Sequence, residues 1–256
     1  MNKALKMGLL VFIFIIASIG MVGCSSDETA TDEKVYTIGT DAAYPPFEKQ
    51  EGGDIVGFDI DIINAIAEEA GIKIDVVHTG WDPLFEGLKN GTVDAGISAI
   101  TITDERKEIY DFSDPYFEAT QLIMVPSDSN ITTLKELEGK KIGVQSATTG
   151  DIAVQEAFGK TYAGLKGYDD TPAAVDDLLL GRVDAVVADN VVLQEYLKVL
   201  KSDDFKVVKD PAFEVEYYGM MVSKGNQELL DKLNQGLKAI KENGKYDEIY
   251  NNYFGQ

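Results

Sequence analysis

From residue 34 onward, short runs rich in β-branched residues alternate with longer runs whose apolar positions recur every three or four residues. The first pattern fits half-buried strands and the second fits amphipathic helices. Strands are predicted at 34–40, 72–78, 140–145 and 182–189. Helices are predicted at 59–71, 82–91, 149–159, 171–181, 226–244 and 245–255. Gly71 and Gly91 read as helix stops, and Thr171 with Pro172 reads as a cap followed by the first helical position. Val93 to Ile102 has strand composition, with Thr103 capping the helix that follows. Tyr246, Ile249, Tyr250, Tyr253 and Phe254 share one face of the last helix, a stripe that reads as core packing. Alternation of this kind predicts an α/β fold.

Two segments ninety residues apart match each other: "LKNGTVDAGIS" (88–98) and "LLLGRVDAVVA" (178–188). Each is a helix end, a Gly break and a strand. Two readings stand: coincidence between generic units, or two similar α/β lobes with a cleft of the kind small solutes occupy.

The first 33 residues follow different rules. Lys3 and Lys6 precede the apolar run "LLVFIFIIASIGMV" and then "GCSS". A basic start and a short apolar core predict a signal peptide over 1–23 rather than a spanning anchor, which needs about 20 apolar residues. Cys24 is the only cysteine, and "MVGC" resembles a bacterial lipobox, which implies lipidation of Cys24 and an extracytoplasmic, membrane-anchored protein. "SSDETATDE" (25–33) is polar and acidic, and the segment 24–33 is predicted to be a flexible tether.

Charge narrows the partners. The chain has 256 residues, a formal net charge of -21 and a pI near 4.3. Nucleic acid is excluded as a partner, because phosphate binding needs a basic face. The acidic surface favours a monomer. One His and one Cys build no metal or nucleophile constellation, so no metal and no cofactor is expected. His78 is expected at a strand end on the surface.

There are two arginines, Arg106 and Arg182. Arg106 follows "ITITDE" at a helix start beside a strand end, where ligands gather in open α/β sheets. A guanidinium there can fork a carboxylate, with Ser98 and Thr101 hydroxyls completing the pocket. It can equally pair with Asp104 or Asp111 at the surface, and local pattern leaves both open.

The blocks "GTDAAYPPFE", "GFDIDI", "WDPLFEGL", "GISAITITDERKEIYDFSDPYF", "IGVQSATTG" and "EYYGM" occur in that order. Together they resemble the polar amino-acid substrate-binding proteins of bacterial ABC importers, over about residues 35–254. The resemblance implies a type II periplasmic-binding fold of two α/β lobes, 34–120 with 217–256 and 121–216, joined by hinge strands near 121–127 and 215–221. It implies a non-enzymatic receptor that closes on one L-amino acid and delivers it to a membrane permease. Arg106 is implied to grip the ligand α-carboxylate, helped by Ser98, Ala99 and Thr101 and by the backbone around Thr148 and Thr149. Asp189 is implied to take the α-ammonium. A zwitterion removed from water needs an opposite charge at each end.

The side-chain pocket implied by the resemblance is Asp41, Tyr44, Trp81 and Gln145, with Glu118 as a further candidate. Tyr44 and Trp81 offer aromatic faces that stack on a cation for about 0.5–2 kcal/mol each; hydrophobic core is the plainer reading of both. Asp41 favours a cationic head, and the pattern looks most like arginine, lysine and histidine binders. Glutamine is the alternative, disfavoured by Ala188, where some glutamine binders carry a bulkier polar residue. A cyclohexadienyl-dehydratase-like enzyme on the same fold is the remaining alternative, with Glu118 as its nearest general acid.

Overall fold

Helix Phe58–Ala70 buries Phe58, Ile62, Ile63 and Ile66 on one side and stops at Gly71, whose left-handed φ of 63° suits a residue without Cβ. The computed structural model describes residues 34–255; the signal peptide, the Cys24 site and the tether fall outside the described residues. Helix Trp81–Asn90 likewise ends at left-handed Gly91. Asp170, not Thr171, caps helix Thr171–Leu179. Its carboxylate accepts from the Ala173 N–H at 2.8 Å, so Thr171 and Pro172 occupy the first two helical positions. The apolar run 93–102 forms a strand only at Ala95–Gly96. Beyond it the backbone leaves the sheet, and Ala99 takes a left-handed φ of 47°.

Two sheets carry the fold. The first runs in the order Lys73–His78, Val35–Thr40, Ala95–Gly96, Met221–Ser223, Tyr110–Phe112. The second runs Leu165–Tyr168, Ile142–Gln145, Ala185–Asp189, Phe117–Pro126, Phe205–Val208. In each sheet the first three strands are parallel and the fourth is antiparallel to the third. Each fourth strand comes from the segment that crosses between sheets. Val215–Tyr218 pairs antiparallel with residues 117–120; this places the crossing pair slightly earlier than 121–127, because Gln121 to Met124 already pair with Ala185–Asp189. This is the α/β fold with two lobes joined by two hinge strands.

The repeated "G-x-V-D-A" has one structural job in both sheets. The Asp94 N–H donates to the Thr37 carbonyl at 2.8 Å, and the Thr37 N–H returns a bond to the Asp94 carboxylate at 2.8 Å. Asp184 does the same with Lys141, at 2.8 Å and 2.7 Å. Each aspartate thereby locks the third strand beside the second.

Helices cover both faces of both sheets, as buried parallel strands require. Ile38, Ile62, Ile66, Leu233, Leu237 and Ile240 pack on one face of the first sheet, and Leu84, Leu88, Val93 and Met221 on the other. Leu122, Met124 and Val186 face one core of the second sheet; Ile123, Val125 and Val187 face the opposite one. The stripe of the last helix packs against the core through buried Ile249 and half-buried Tyr246, Tyr253 and Phe254, while Tyr250 is exposed; Phe254 lies 5.0 Å from Phe58 and 5.2 Å from Phe117 between ring centroids.

Helix Gln227–Glu242 crosses Phe58–Ala70 at Gly236, where an added Cβ would stand 2.5 Å from the Ile66 carbonyl oxygen. Gly to Ala inside a helix normally gains about 1 kcal/mol. Here backbone overlap outweighs that gain, and Gly236→Ala is expected to lose about 1–3 kcal/mol. A thermal midpoint several degrees lower is the expected reading, and an unchanged or higher midpoint would contradict the close crossing.

Candidate functional site

The parallel strands of both sheets end at one cavity. Asp41 follows Val35–Thr40, Ser98 follows Ala95–Gly96, Gln145 closes Ile142–Gln145 and Asp189 closes Ala185–Asp189. This is the strand end where open α/β sheets gather ligands. The cavity encloses about 420 Å³ of space, its open mouth included. All eleven residues singled out for ligand binding line it: Asp41, Tyr44 and Trp81; Ser98, Ala99, Thr101 and Arg106; Gln145, Thr148, Thr149 and Asp189.

Arg106 sits in the short helix Asp104–Ile109, capped by the Thr103 side chain, which accepts from the Arg106 N–H. Its guanidinium reaches inward instead of pairing with Asp104 or Asp111. It donates to the carbonyls of Thr101 at 2.8 Å and Ala147 at 3.2 Å. The faces of Trp81 and Phe85 each lie 5.4 Å from its central carbon. Burial lowers it to about 10, opposed by Glu216 and Asp189, so it stays a cation at neutral pH. Arg182, by contrast, makes an exposed ion pair with Asp177.

Asp189 is buried and accepts from Gln121 and from the Tyr218 hydroxyl. Its N–H donates to the Tyr44 hydroxyl at 3.4 Å. Burial, and then the Glu216 charge, raise its carboxyl to about 7. Asp41 is buried too and accepts from the Gln145 amide at 2.8 Å; burial raises it despite that bond. Thr171 holds the other end of the Gln145 amide at 3.0 Å.

Trp81 opens its helix rather than preceding it. Its ring packs on Phe85 and faces the cavity, so it is core and wall at once. Thr148 caps helix Thr149–Phe158 and turns that helix's N-terminus to the cavity. Ala99 and Ala147 both hold left-handed backbone, φ 47° and 59°. Such strain costs of order 1 kcal/mol or more per residue and collects at functional sites.

Glu118 is not part of the cavity. It lies exposed on the crossing strand, paired with Tyr217, because strand alternation turns its neighbours Phe117 and Ala119 to the core. His78 is exposed at a strand end, and its Nδ1 accepts from the Ala42 N–H at 3.1 Å.

Sequence reading missed Glu48, Gln121, Thr171 and Glu216. Glu216 accepts from Thr101 at 2.7 Å, from Thr149 at 2.8 Å and from Gln121 at 3.2 Å. One hinge-strand carboxylate thus ties residues of both sheets together. Glu48 and Glu216 stand inside "YPPFE" and "EYYGM", so their blocks were visible and their roles were not.

Raised carboxyls give stability a pH sign. An unfolded aspartate ionises near 4, whereas Asp189 holds its proton to about 7. Between those values the unfolded chain releases a proton that the folded chain keeps, so this contribution is full on the acid side and is lost as pH rises through about 7. The ligand-free protein is expected to melt higher near pH 5 than near pH 8, with Asp189→Asn narrowing the gap. An identical gap in the variant would show that Asp189 is not the source.

The sequence profile of the bacterial extracellular solute-binding proteins, family 3, matches residues 36–256. The probable histidine-binding protein of Neisseria gonorrhoeae is 37% identical over 229 residues, covering 89% of this chain and 85% of its own. The arginine-, lysine-, histidine-binding protein ArtJ of Geobacillus stearothermophilus has a structure of similar fold, with TM-score 0.84 and 49% identity over 87% of this chain and 96% of its own. An ancestral arginine-binding protein solved with glutamine bound is similar at TM-score 0.81 and 41% identity, over 87% and 98% of the two chains.

Proposed function

The chain belongs to the bacterial extracellular solute-binding proteins, family 3, and from that membership we propose that it captures a basic L-amino acid between its two lobes. The observation that carries this is charge balance: two acids, Asp41 and Asp189, line the cavity with one described cation, Arg106, while the third lining acid, Glu48, is bonded to Ser98 within the wall. A ligand with one carboxylate and two cationic groups matches that set. Its carboxylate meets the Arg106 fork, its ammonium meets Asp189, and its side-chain cation meets Asp41 between Tyr44 and Trp81.

The relatives described above are binding proteins, and binding without turnover is the role proposed for this one. Its lobes, divided near residues 120 and 217, close around the ligand as a population shift toward the form with contacts across the cleft. The closed protein, a monomer tethered outside the membrane by lipid on Cys24, then hands the amino acid to an ABC permease. Glutamine is the second reading, favoured by the ancestral arginine-binding protein that holds it.

Thermal unfolding with single L-amino acids tests the ligand. At a hundred times its dissociation constant a ligand stabilises by about 2.7 kcal/mol. The largest shift is expected for arginine, lysine or histidine; glutamine alone would move the specificity, and no shift from any of them would remove the receptor reading. Arg106→Met is expected to fold normally and to weaken binding at least a hundredfold, the order expected for an uncompensated buried charge. Unaltered affinity in that variant would reject the carboxylate clamp. Cys24→Ala is expected to abolish lipid labelling and membrane retention, and a labelled variant would contradict the anchor.

A further inference from the structure

Two carboxyls lie side by side under the Ser98–Ala99 segment, and nothing in the proposed ligand scheme uses their charge as a pair. Glu48 opens strand Glu48–Glu51 and Asp59 lies in the first turn of helix Phe58–Ala70. The backbone brings them together: the Phe58 N–H donates to the Pro46 carbonyl at 3.0 Å and the Asp59 N–H to the Phe47 carbonyl at 2.9 Å. The approach is close enough that a Cβ at Gly57 would stand 2.1 Å from the Phe47 carbonyl oxygen. Both acids have no solvent exposure.

Their outer oxygens are spent on the cavity wall. Glu48 Oε1 accepts from the Ser98 hydroxyl at 2.7 Å, and Ser98 Oγ in turn accepts from the Asp41 N–H at 2.9 Å. Asp59 Oδ2 accepts from the Ala99 N–H at 2.7 Å and from the Tyr116 hydroxyl at 2.8 Å. Glu48 Oε2 and Asp59 Oδ1 are buried without a donor, and the two carboxyls are close enough to perturb each other. Two adjacent buried carboxylates cannot both hold full charge, and one proton between the spare oxygens resolves the conflict.

We propose that Glu48 carries a proton which it donates to Asp59, and that this singly protonated pair is a positioning device for the Ser98–Ala99 segment of the ligand cavity. The proton belongs on Glu48, because Asp59 has the favourable helix N-terminus and two donors to support its charge. Burial and the Asp59 carboxylate hold Glu48 well above the usual carboxylate range, while burial lifts Asp59 to about 7 against its two donors. The titratable groups facing the pair are Asp41 and Tyr44 beside Glu48, Tyr116 on Asp59, and Tyr246 from the last helix. None is a cation, so no neighbouring positive charge takes over the role of the proton. When the proton leaves at high pH, two anions face each other, and Ala99 loses the anchor that holds its left-handed backbone.

The ligand arm of the test rests on the basic amino-acid reading; the infrared arm does not. Glu48→Gln keeps an N–H toward Asp59 and a carbonyl toward Ser98. It is expected to bind L-arginine within about threefold of the unaltered protein near neutral pH, while Glu48→Leu loses at least about tenfold. Above neutral pH the unaltered protein is expected to lose affinity while Glu48→Gln stays level. Glu48→Gln/Asp59→Asn sets two amide donors against each other and is expected to bind worse than the product of the single effects. In the ligand-free protein at neutral pH, the difference between the infrared spectra of the unaltered protein and Glu48→Gln should show the carbonyl band of one protonated carboxylic acid. Equal losses in the Gln and Leu variants, or no such band, would overturn the proposal. Failure of arginine to bind the unaltered protein, with the band intact, would instead reject the ligand assignment alone.

Discussion

The cavity depends on keeping one guanidinium charged among buried carboxyls. Arg106 is anchored by two carbonyls and two aromatic faces, so its position does not depend on a counter-ion. Glu216 and Asp189 supply the charge that offsets its burial. An arginine held this way keeps its fork for an anion and is geometrically selective in a way a flexible ammonium is not. The remaining lining charges are then all negative, and the imbalance itself becomes a preference for a cationic solute.

The same residues couple the site to the fold. Asp41 and Gln145 meet across the two sheets, Tyr44 meets Asp189, and Trp81 and Arg106 both meet Ala147. Glu216 stands on a hinge strand and gathers Thr101 and Thr149. The cavity residues of the two sheets therefore share one hydrogen-bond network, and the strained backbone at Ala99 and Ala147 lies within it.

Much of this was legible in the sequence because it is local. Helix ends at Gly71 and Gly91, the Thr103 cap and the repeated "VDA" each follow from short-range chemistry, and the blocks contain ten of the eleven cavity residues proposed, with Asp189 standing just after the second "VDA" unit. What was hidden depends on pairing at a distance. Strand composition over 93–102 did not reveal that the chain leaves the sheet after Gly96, since that turn is held by Asp59, forty positions earlier in the chain. Glu118 and Glu216 look alike as acids on hinge strands. Only the register, with Glu118 opposite Tyr217 and Glu216 opposite Ala119, sends one to solvent and the other to the hydroxyls at the cavity edge.

The most direct measurement is a crystal structure of the protein with L-arginine. The α-carboxylate is expected on the Arg106 guanidinium, the α-ammonium on Asp189, and the ligand guanidinium beside Asp41 between Tyr44 and Trp81. A ligand bound in the reverse sense, or outside this cavity with Arg106 still on its two carbonyls, would contradict the account.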